Sequence, residues 1–289
     1  MFQGAMTAMI TPFTTDGQVD YERLKANVDF QIDKGIDGLV PVGTTGESPT
    51  LTHDEHRLVI ETVVAQTAGR VKVIAGTGSN STNEALSLTR HAKEVGADGA
   101  LMVNPYYNKP TQEGLYRHFS LIADEVGLPI VLYNIPGRTG ITMAPATVAR
   151  LAEHEQIVAV KEATGSLDIA SEIATLCDIT ILSGDDSLTL PLMSIGGKGV
   201  ISVLSNIIPD KIKALAAAAL SGDFSQARQY HLELFPLFKG MFVETNPIPI
   251  KSAMGMMNMD SGELRLPLCE LSDESRDSLT SLLADAGLI

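Results

Sequence analysis

The chain has 289 residues, 44% apolar and 19% charged, which excludes a disordered protein and allows one large α/β barrel or two smaller domains. Its formal net charge of −14 disfavours nucleic acid or an anionic membrane as the main partner, because both need a basic face. An anionic substrate would therefore need a local basic group. The N-terminal MFQGAMTAMITPF carries no basic leader, and no apolar stretch nears the ~20 residues of a spanning helix, so no signal peptide and a cytoplasmic protein are expected.

Eight apolar runs precede residue 207 and read as strands: AMTAMI (5–10), GLVPV (38–42), VKVIA (71–75), GALMV (99–103), PIVLY (129–133), IVAVK (157–161), ITILS (179–183) and GVISV (199–203). Amphipathic segments of helical length separate them. DYERLKANVDFQIDKG spaces Leu24, Val28 and Ile32 by four and stops at Gly35; HDEHRLVIETVVAQTAG offers Leu58, Val59, Thr62 and Val63 and stops at Gly69. KGIDG, VGADG and GGKGV each lead from a helix into a strand, a weak internal echo. Alternating strands and helices imply a parallel sheet with right-handed crossovers, and eight units predict a (β/α)8 TIM barrel over 1–222. A doubly wound open sheet is the rival, weakened by the lack of GxGxxG after the first strand. The two cysteines, Cys177 and Cys269, have no metal-ligand spacing and are expected to be buried thiols in a reducing compartment. Residues 223–289 read as a small helical appendage. Pro236 predicts a kink or break in its first helix, and Ser272 caps the last, where Leu279, Leu282 and Leu283 share a face.

Active sites of such barrels lie at the carboxyl ends of the strands. There this chain places GTTGES, GTGSNST, NPYYNKP, NIPGRTG, KEATG and GDDS, rich in Gly, Thr, Ser, Asn and Tyr, whereas the opposite loops are short and bland. GTTGE (43–47) offers Thr44 and Thr45 and an anion nest of backbone N–H groups, although Ser48 and Thr52 make a helix cap an equal reading. Tyr106, Tyr107 and Tyr133 end neighbouring strands, and Arg138 sits on a loop able to present a guanidinium to a carboxylate. Lys161 ends a strand of Ile157, Val158, Ala159 and Val160. Most lysines snorkel to water, but burial disfavours the charged form of an amine, and a neutral amine forms imines with carbonyl substrates. Strand alternation turns Glu162 to the opposite face, so it should not quench Lys161. His53 and His56, three apart, have a metal-compatible spacing but no third ligand, so no metal is expected; solvated helix residues are the plain alternative.

In order and spacing, GTTGES, NPYYNKPTQEGLY, LYNIPGRTG, VKEATG and LSGDD closely resemble the 4-hydroxy-tetrahydrodipicolinate synthase (dihydrodipicolinate synthase) family of pyruvate-dependent class I aldolases. The likeness runs from MFQGAMTAMITPF through FVETNPIPIKSAM and LRLPL, essentially the whole chain. It implies a feedback-regulated lyase of diaminopimelate and lysine biosynthesis that joins pyruvate to L-aspartate 4-semialdehyde, with no cofactor beyond an imine on Lys161. It further implies that Thr44 and Thr45 hold the pyruvate carboxylate and that Tyr133 transfers protons, linked through Thr44 to Tyr107 from across a dimer interface. Arg138 would orient the second carboxylate, and backbone near Gly184 and Ile201 would line the pocket. Ser48, His53, His56, Asn80, Glu84 and Tyr106 match an inhibitory L-lysine site, with Pro49 where a small residue is expected. A homotetramer, a dimer of dimers, follows from the same likeness. N-acetylneuraminate lyase and keto-deoxy sugar acid aldolases share the lysine and the G-[ST]-T-G-E loop, and GRTG favours the shorter aldehyde. A barrel that has become a non-catalytic ligand-binding regulator would be expected to lack one of Lys161, Tyr133 or Thr44, and none is missing.

Overall fold

Eight parallel strands follow one another around a closed ring in chain order, β1 pairing with both β2 and β8. They are β1 (Gly4–Ala8), β2 (Gly38–Val40), β3 (Lys72–Gly76), β4 (Gly99–Val103), β5 (Ile130–Asn134), β6 (Ile157–Glu162), β7 (Thr180–Ser183) and β8 (Gly199–Ser202). The computed structural model describes residues 2–289; Met1, the first residue of the predicted barrel, lies outside them. All eight predicted runs are strands, shifted by a few residues at most, and the open-sheet rival is excluded by closure.

The outer layer is α1 (Tyr21–Asp33), α2 (His53–Thr67), α3 (Thr82–Glu94), α4 (Gln112–Val126), the single turn α5 (Pro136–Thr139), α6 (Pro145–Ala152), α7 (Leu167–Leu176), α8 (Thr189–Ser194) and α9 (Pro209–Leu220). Leu24 and Val28 of α1 are buried as their spacing predicts, and Gly35 takes φ +82° just past the helix end. In α2 the buried face is His56, Val59, Ile60, Val63 and Thr67, so the expected Leu58 is instead exposed. The buried stripe runs through positions 56, 59, 60, 63 and 67, and Leu58 lies off its flank. Thr52 caps the helix, its side chain accepting from Glu55 N–H while the Glu55 carboxylate accepts from Thr52 N–H, a box worth about 1 kcal/mol. Ala68, ahead of the expected Gly69, is the left-handed C-cap.

Residues after the barrel form α10 (Phe224–Gly240), α11 (Ile248–Met256) and α12 (Asp273–Asp285). Pro236 does not break α10. The backbone acceptor it leaves without an N–H belongs to Leu232, which is 64% exposed, so the loss is not a buried one. Ser272 caps α12 and Leu279 and Leu283 are buried, as expected, while Leu282 is only partly so. The thiols depart from expectation: Cys177 is half-buried and Cys269 exposed, both free. Cys177 closes α7 at a surface edge, and Cys269 follows the extended segment that leads to α12. Among the described residues no helix is long and apolar enough to cross a membrane.

Side chains alternate between the barrel interior and the helical layer. Met6, Val40, Ile74, Leu101, Val131 and Leu182 fill the interior, and Phe2 closes its amino-terminal end by packing on Gly99. Tyr133 and Lys161 are opposite each other in the β5–β6 register and both face inward near the other end. That placement leads to the site.

Candidate active site

Lys161 is 5% exposed, and its Nζ stands 4.2 Å from the centre of the Tyr133 ring. It forms neither an ion pair nor a hydrogen bond among the described residues, so no partner competes for the amine. Alternation disposes of its neighbour as expected. Glu162 faces the helical layer, accepting from Thr164 N–H at 2.7 Å and from Asn134 Nδ2 at 3.2 Å. Burial holds its carboxyl above the usual carboxylate range. Asn134 also clasps the Met143 backbone through N–H and C=O, at 2.9 and 3.1 Å, which ties the end of β5 to the loop leading into α6. On the far side of Lys161, a Cβ added at Gly184 would lie 3.1 Å from Lys161 Cε and 2.6 Å from Ala163 Cβ. Only glycine leaves the amine its room. Asp185, next in line, has its carboxyl raised by burial with Lys161 pulling the other way.

Above the ring of Tyr133 opens a pocket of about 260 Å³ lined by Gly43, Thr44, Ser48, Leu101, Tyr106, Tyr133, Arg138 and Thr139, among others. The Thr44 and Thr45 N–H groups make no hydrogen bond among the described residues, while Gly46 and Glu47 donate back to Gly43 O and Thr44 O at 3.1 Å. The turn therefore presents uncommitted donors, as an anion nest requires. The cap reading holds at Thr52, which caps α2. Arg138 is exposed, donates Nη2 to Asn246 O at 2.9 Å and forms no ion pair among the described residues. Thr45 is buried, and its Oγ1 accepts from Asn246 Nδ2 at 3.0 Å. Ile201 is buried in the barrel interior on β8, separated from the lysine strand by β7, and neither it nor Thr45, Lys161 or Gly184 lines the pocket.

The remaining expected residues divide. Ser48 and Tyr106, which the resemblance assigns to an inhibitory site, line this same pocket. Tyr107 does not line it: it is 90% exposed at φ +71°, a left-handed backbone that costs a non-glycine residue on the order of 1 kcal/mol. His53 Nε2 pairs with Glu84, and Ser79 Oγ donates to the same carboxylate. Those contacts hold the Glu84 carboxyl below its usual range, Ser79 contributing most. Asn80 belongs to this cluster's edge, its carbonyl accepting from Asn108 Nδ2 at 2.9 Å.

His56 is not the solvated helix residue of the plain alternative. It is 4% exposed and donates from Nε2 to Gly76 O at 2.8 Å, whereas His53 is exposed, so the two rings do not face one ligand. No metal-holding cluster of three occurs among the described residues. Burial lowers the His56 pKa from 6.5 to about 4, and that of His118 likewise. Unfolded, both rings titrate near 6.5, so in the window between the two values the unfolded chain binds more protons and stability falls as pH falls. The free energy of unfolding is expected to drop by roughly 2 kcal/mol per histidine between about pH 7 and pH 5. Urea titrations at the two pH values measure this, and His118→Gln should remove its share of the slope.

Three residues of this neighbourhood escaped sequence reasoning: Asn246, Glu47 and Lys251. Lys251 carries the same signal as Lys161, an ammonium group inside an apolar run, here PIPIKSAM.

A family model described as the dihydrodipicolinate synthetase family matches residues 1–286. The chain is 56% identical over 291 aligned positions to the 4-hydroxy-tetrahydrodipicolinate synthase of Pelobacter propionicus, with all of both chains covered. Among solved structures it is similar to a chloride-inhibited dihydrodipicolinate synthase from Acinetobacter baumannii complexed with pyruvate, at TM-score 0.98 and 44% identity with both chains fully covered. It is also similar to the lysine-bound enzyme of Cyanidioschyzon merolae, at TM-score 0.97 and 41% identity, covering 100% of this chain and 99% of that one.

Proposed function

The chain belongs to the dihydrodipicolinate synthetase family, and from that premise we propose that it condenses pyruvate with L-aspartate 4-semialdehyde to 4-hydroxy-tetrahydrodipicolinate, on the route to diaminopimelate and lysine. The observation that carries the reading is the Lys161 amine, shielded from water, unpaired, and seated against Tyr133, whose ring lines a pocket shared with the Thr44 turn. The neutral amine adds to C2 of pyruvate, and loss of water gives an imine. Removal of a C3 proton gives the enamine, whose C3 attacks the aldehyde carbon. The amino group contributed by the semialdehyde then displaces Lys161 from C2, closing the ring and freeing the enzyme. The imine serves as the electron sink, so the reading calls for no further cofactor.

In this reading the Thr44 and Thr45 amides and hydroxyls hold the pyruvate carboxylate, the Tyr133 hydroxyl carries protons at the reacting carbon, and Arg138 orients the carboxylate of the semialdehyde. Backbone at Gly184 and Ile201 closes the far side. Tyr107, too exposed to act in its own pocket, is assigned to a neighbouring site across a dimer interface, within a homotetramer built as a dimer of dimers. Arg138 suits a short carboxylate-bearing aldehyde better than a sugar acid. Borohydride added with pyruvate should fix a reduced adduct on Lys161, located by peptide mass spectrometry. An adduct on another lysine, or none, would overturn the assignment, and faster turnover of N-acetylneuraminate than of the semialdehyde would move the chain to another branch.

We also assign feedback inhibition by L-lysine to the group Ser48, His53, His56, Asn80, Glu84 and Tyr106, a reading supported by the lysine-bound relative. The Glu84 carboxylate, already engaged by His53 and Ser79, is the natural partner of an incoming ammonium group. His56 acts from beneath by bracing Gly76. Millimolar L-lysine is expected to slow the wild-type enzyme, and Glu84→Gln to raise the concentration needed by about tenfold or more. A wild-type rate indifferent to lysine would end the idea.

A further inference from the structure

Two non-glycine residues with left-handed backbone bracket the GTTGE turn: Val42 at φ +55° and Glu47 at φ +52°. Each costs on the order of 1 kcal/mol or more, and the β-branched valine is the worse placed. Between them the chain doubles back so tightly that a Cβ on Gly46 would lie 3.0 Å from Val42 N. Such a conformation persists only where its surroundings over-determine it.

The surroundings are supplied from the far end of the chain. Glu47 has a side chain with no exposed surface, and its Oε1 accepts from Lys251 Nζ at 2.7 Å, itself wholly buried. The same ammonium donates to Thr11 O at 2.9 Å and stands 4.1 Å from the centre of the Phe13 ring. Glu47 Oε2 accepts from Arg265 N–H at 3.1 Å. Arg265 in turn grips Glu55 through both carboxylate oxygens, so the α2 end of the loop is tied to the same anchor. Thr11 Oγ1 closes the circuit by donating to Gly46 O at 2.7 Å.

A fully buried ion pair adds little net stability over an apolar pair of the same shape, because desolvating both charges offsets their attraction. What it adds is direction. An oxygen and an ammonium group fix the end of a strained turn to one place, which packing of two methylene chains does not. We propose that the Glu47–Lys251 pair is a positioning device that holds the Thr44 and Thr45 amides converged on the carboxylate of the keto acid. The proposal rests on the functional reading above and extends it: the region after residue 222 becomes part of the active site rather than an appendage to it.

The decisive variant is the double replacement Glu47→Leu with Lys251→Met, which removes both charges together and leaves neither stranded in the core. It is expected to melt below the wild type, because Arg265 N–H and Thr11 O lose their partners, but above Lys251→Met alone, and to show a KM for pyruvate raised about tenfold, with kcat at saturating pyruvate nearly unchanged. The pyruvate concentration that half-saturates borohydride trapping on Lys161 should rise in parallel. Lys251→Met alone should lower both melting temperature and pyruvate affinity, and Glu47→Gln, which keeps an acceptor for Arg265 N–H, serves if the double variant does not fold. A folded variant that traps pyruvate at the wild-type concentration overturns the positioning role and leaves the function intact. A wild-type chain that traps no pyruvate overturns both.

Discussion

Lys161→Met is expected to lower kcat/KM by at least ~10³-fold and to abolish the pyruvate adduct, while the melting temperature holds or rises. The thioether is close to isosteric with the lysine stem, so packing over the Tyr133 ring survives. The amine it removes is 5% exposed and has no ion-pair partner among the described residues, so no stabilising contact goes with it beyond the 4.2 Å approach to the ring. An amine with no hydrogen-bond or ion-pair partner is free to bond a substrate, whereas a structural one is held by partners. Lys251, equally interior, shows the structural solution: a carboxylate at 2.7 Å and a carbonyl at 2.9 Å. The measurement is a steady-state assay beside a thermal melt and borohydride trapping. A variant that kept its turnover would place the nucleophile elsewhere; one that lost activity only by unfolding would make Lys161 structural.

Tyr133→Phe should lower kcat by 10²- to 10⁴-fold, the range of a lost general acid–base group, with little change in melting temperature. The ring is in the barrel core and its contact with Lys161 is through the π face, so phenylalanine keeps the packing. Only the hydroxyl goes, and no side chain or backbone group among the described residues depends on it for a hydrogen bond. Imine formation should become slow rather than impossible: long incubation with pyruvate and borohydride still labels Lys161, whereas multiple turnover fails. A Phe variant with wild-type kcat would show that the hydroxyl carries no proton and that the ring alone is the contribution.

The strand ends could be read from the letters because each depended on neighbours in sequence. A buried parallel strand must be apolar throughout, and a helix on its surface must repeat every three to four residues, so β1 to β8 and the stripe of α1 stood out. The same locality underlies the choice of candidate site residues. Tyr133 and Lys161 lie next to the last residues of β5 and β6, Thr44 and Arg138 lie in loops that follow strands, and closure of the barrel brings the ends of all its strands to one rim. Errors fell where a local rule met a longer-range one. Leu58 looked buried until the Val59 face of α2 proved to be the one packed inward, and Pro236 looked disruptive until its orphaned acceptor proved to lie on an exposed turn. His56 and His53, adjacent by spacing, are separated by burial.

Local order along the backbone, then, was enough to specify a barrel, the rim on which chemistry occurs, and an amine set at the end of an apolar strand. It was silent on how that rim is held. Glu47 and Lys251 are 204 residues apart, and Thr45 and Asn246 are 201 apart. No periodicity links residues at such separations. They meet only because the barrel closes and the last helices fold back over its mouth, where the cost of burying each charge is offset by the other. Partnership of that kind is a property of the folded core, with its low dielectric and fixed distances, and it has no signature in either segment alone.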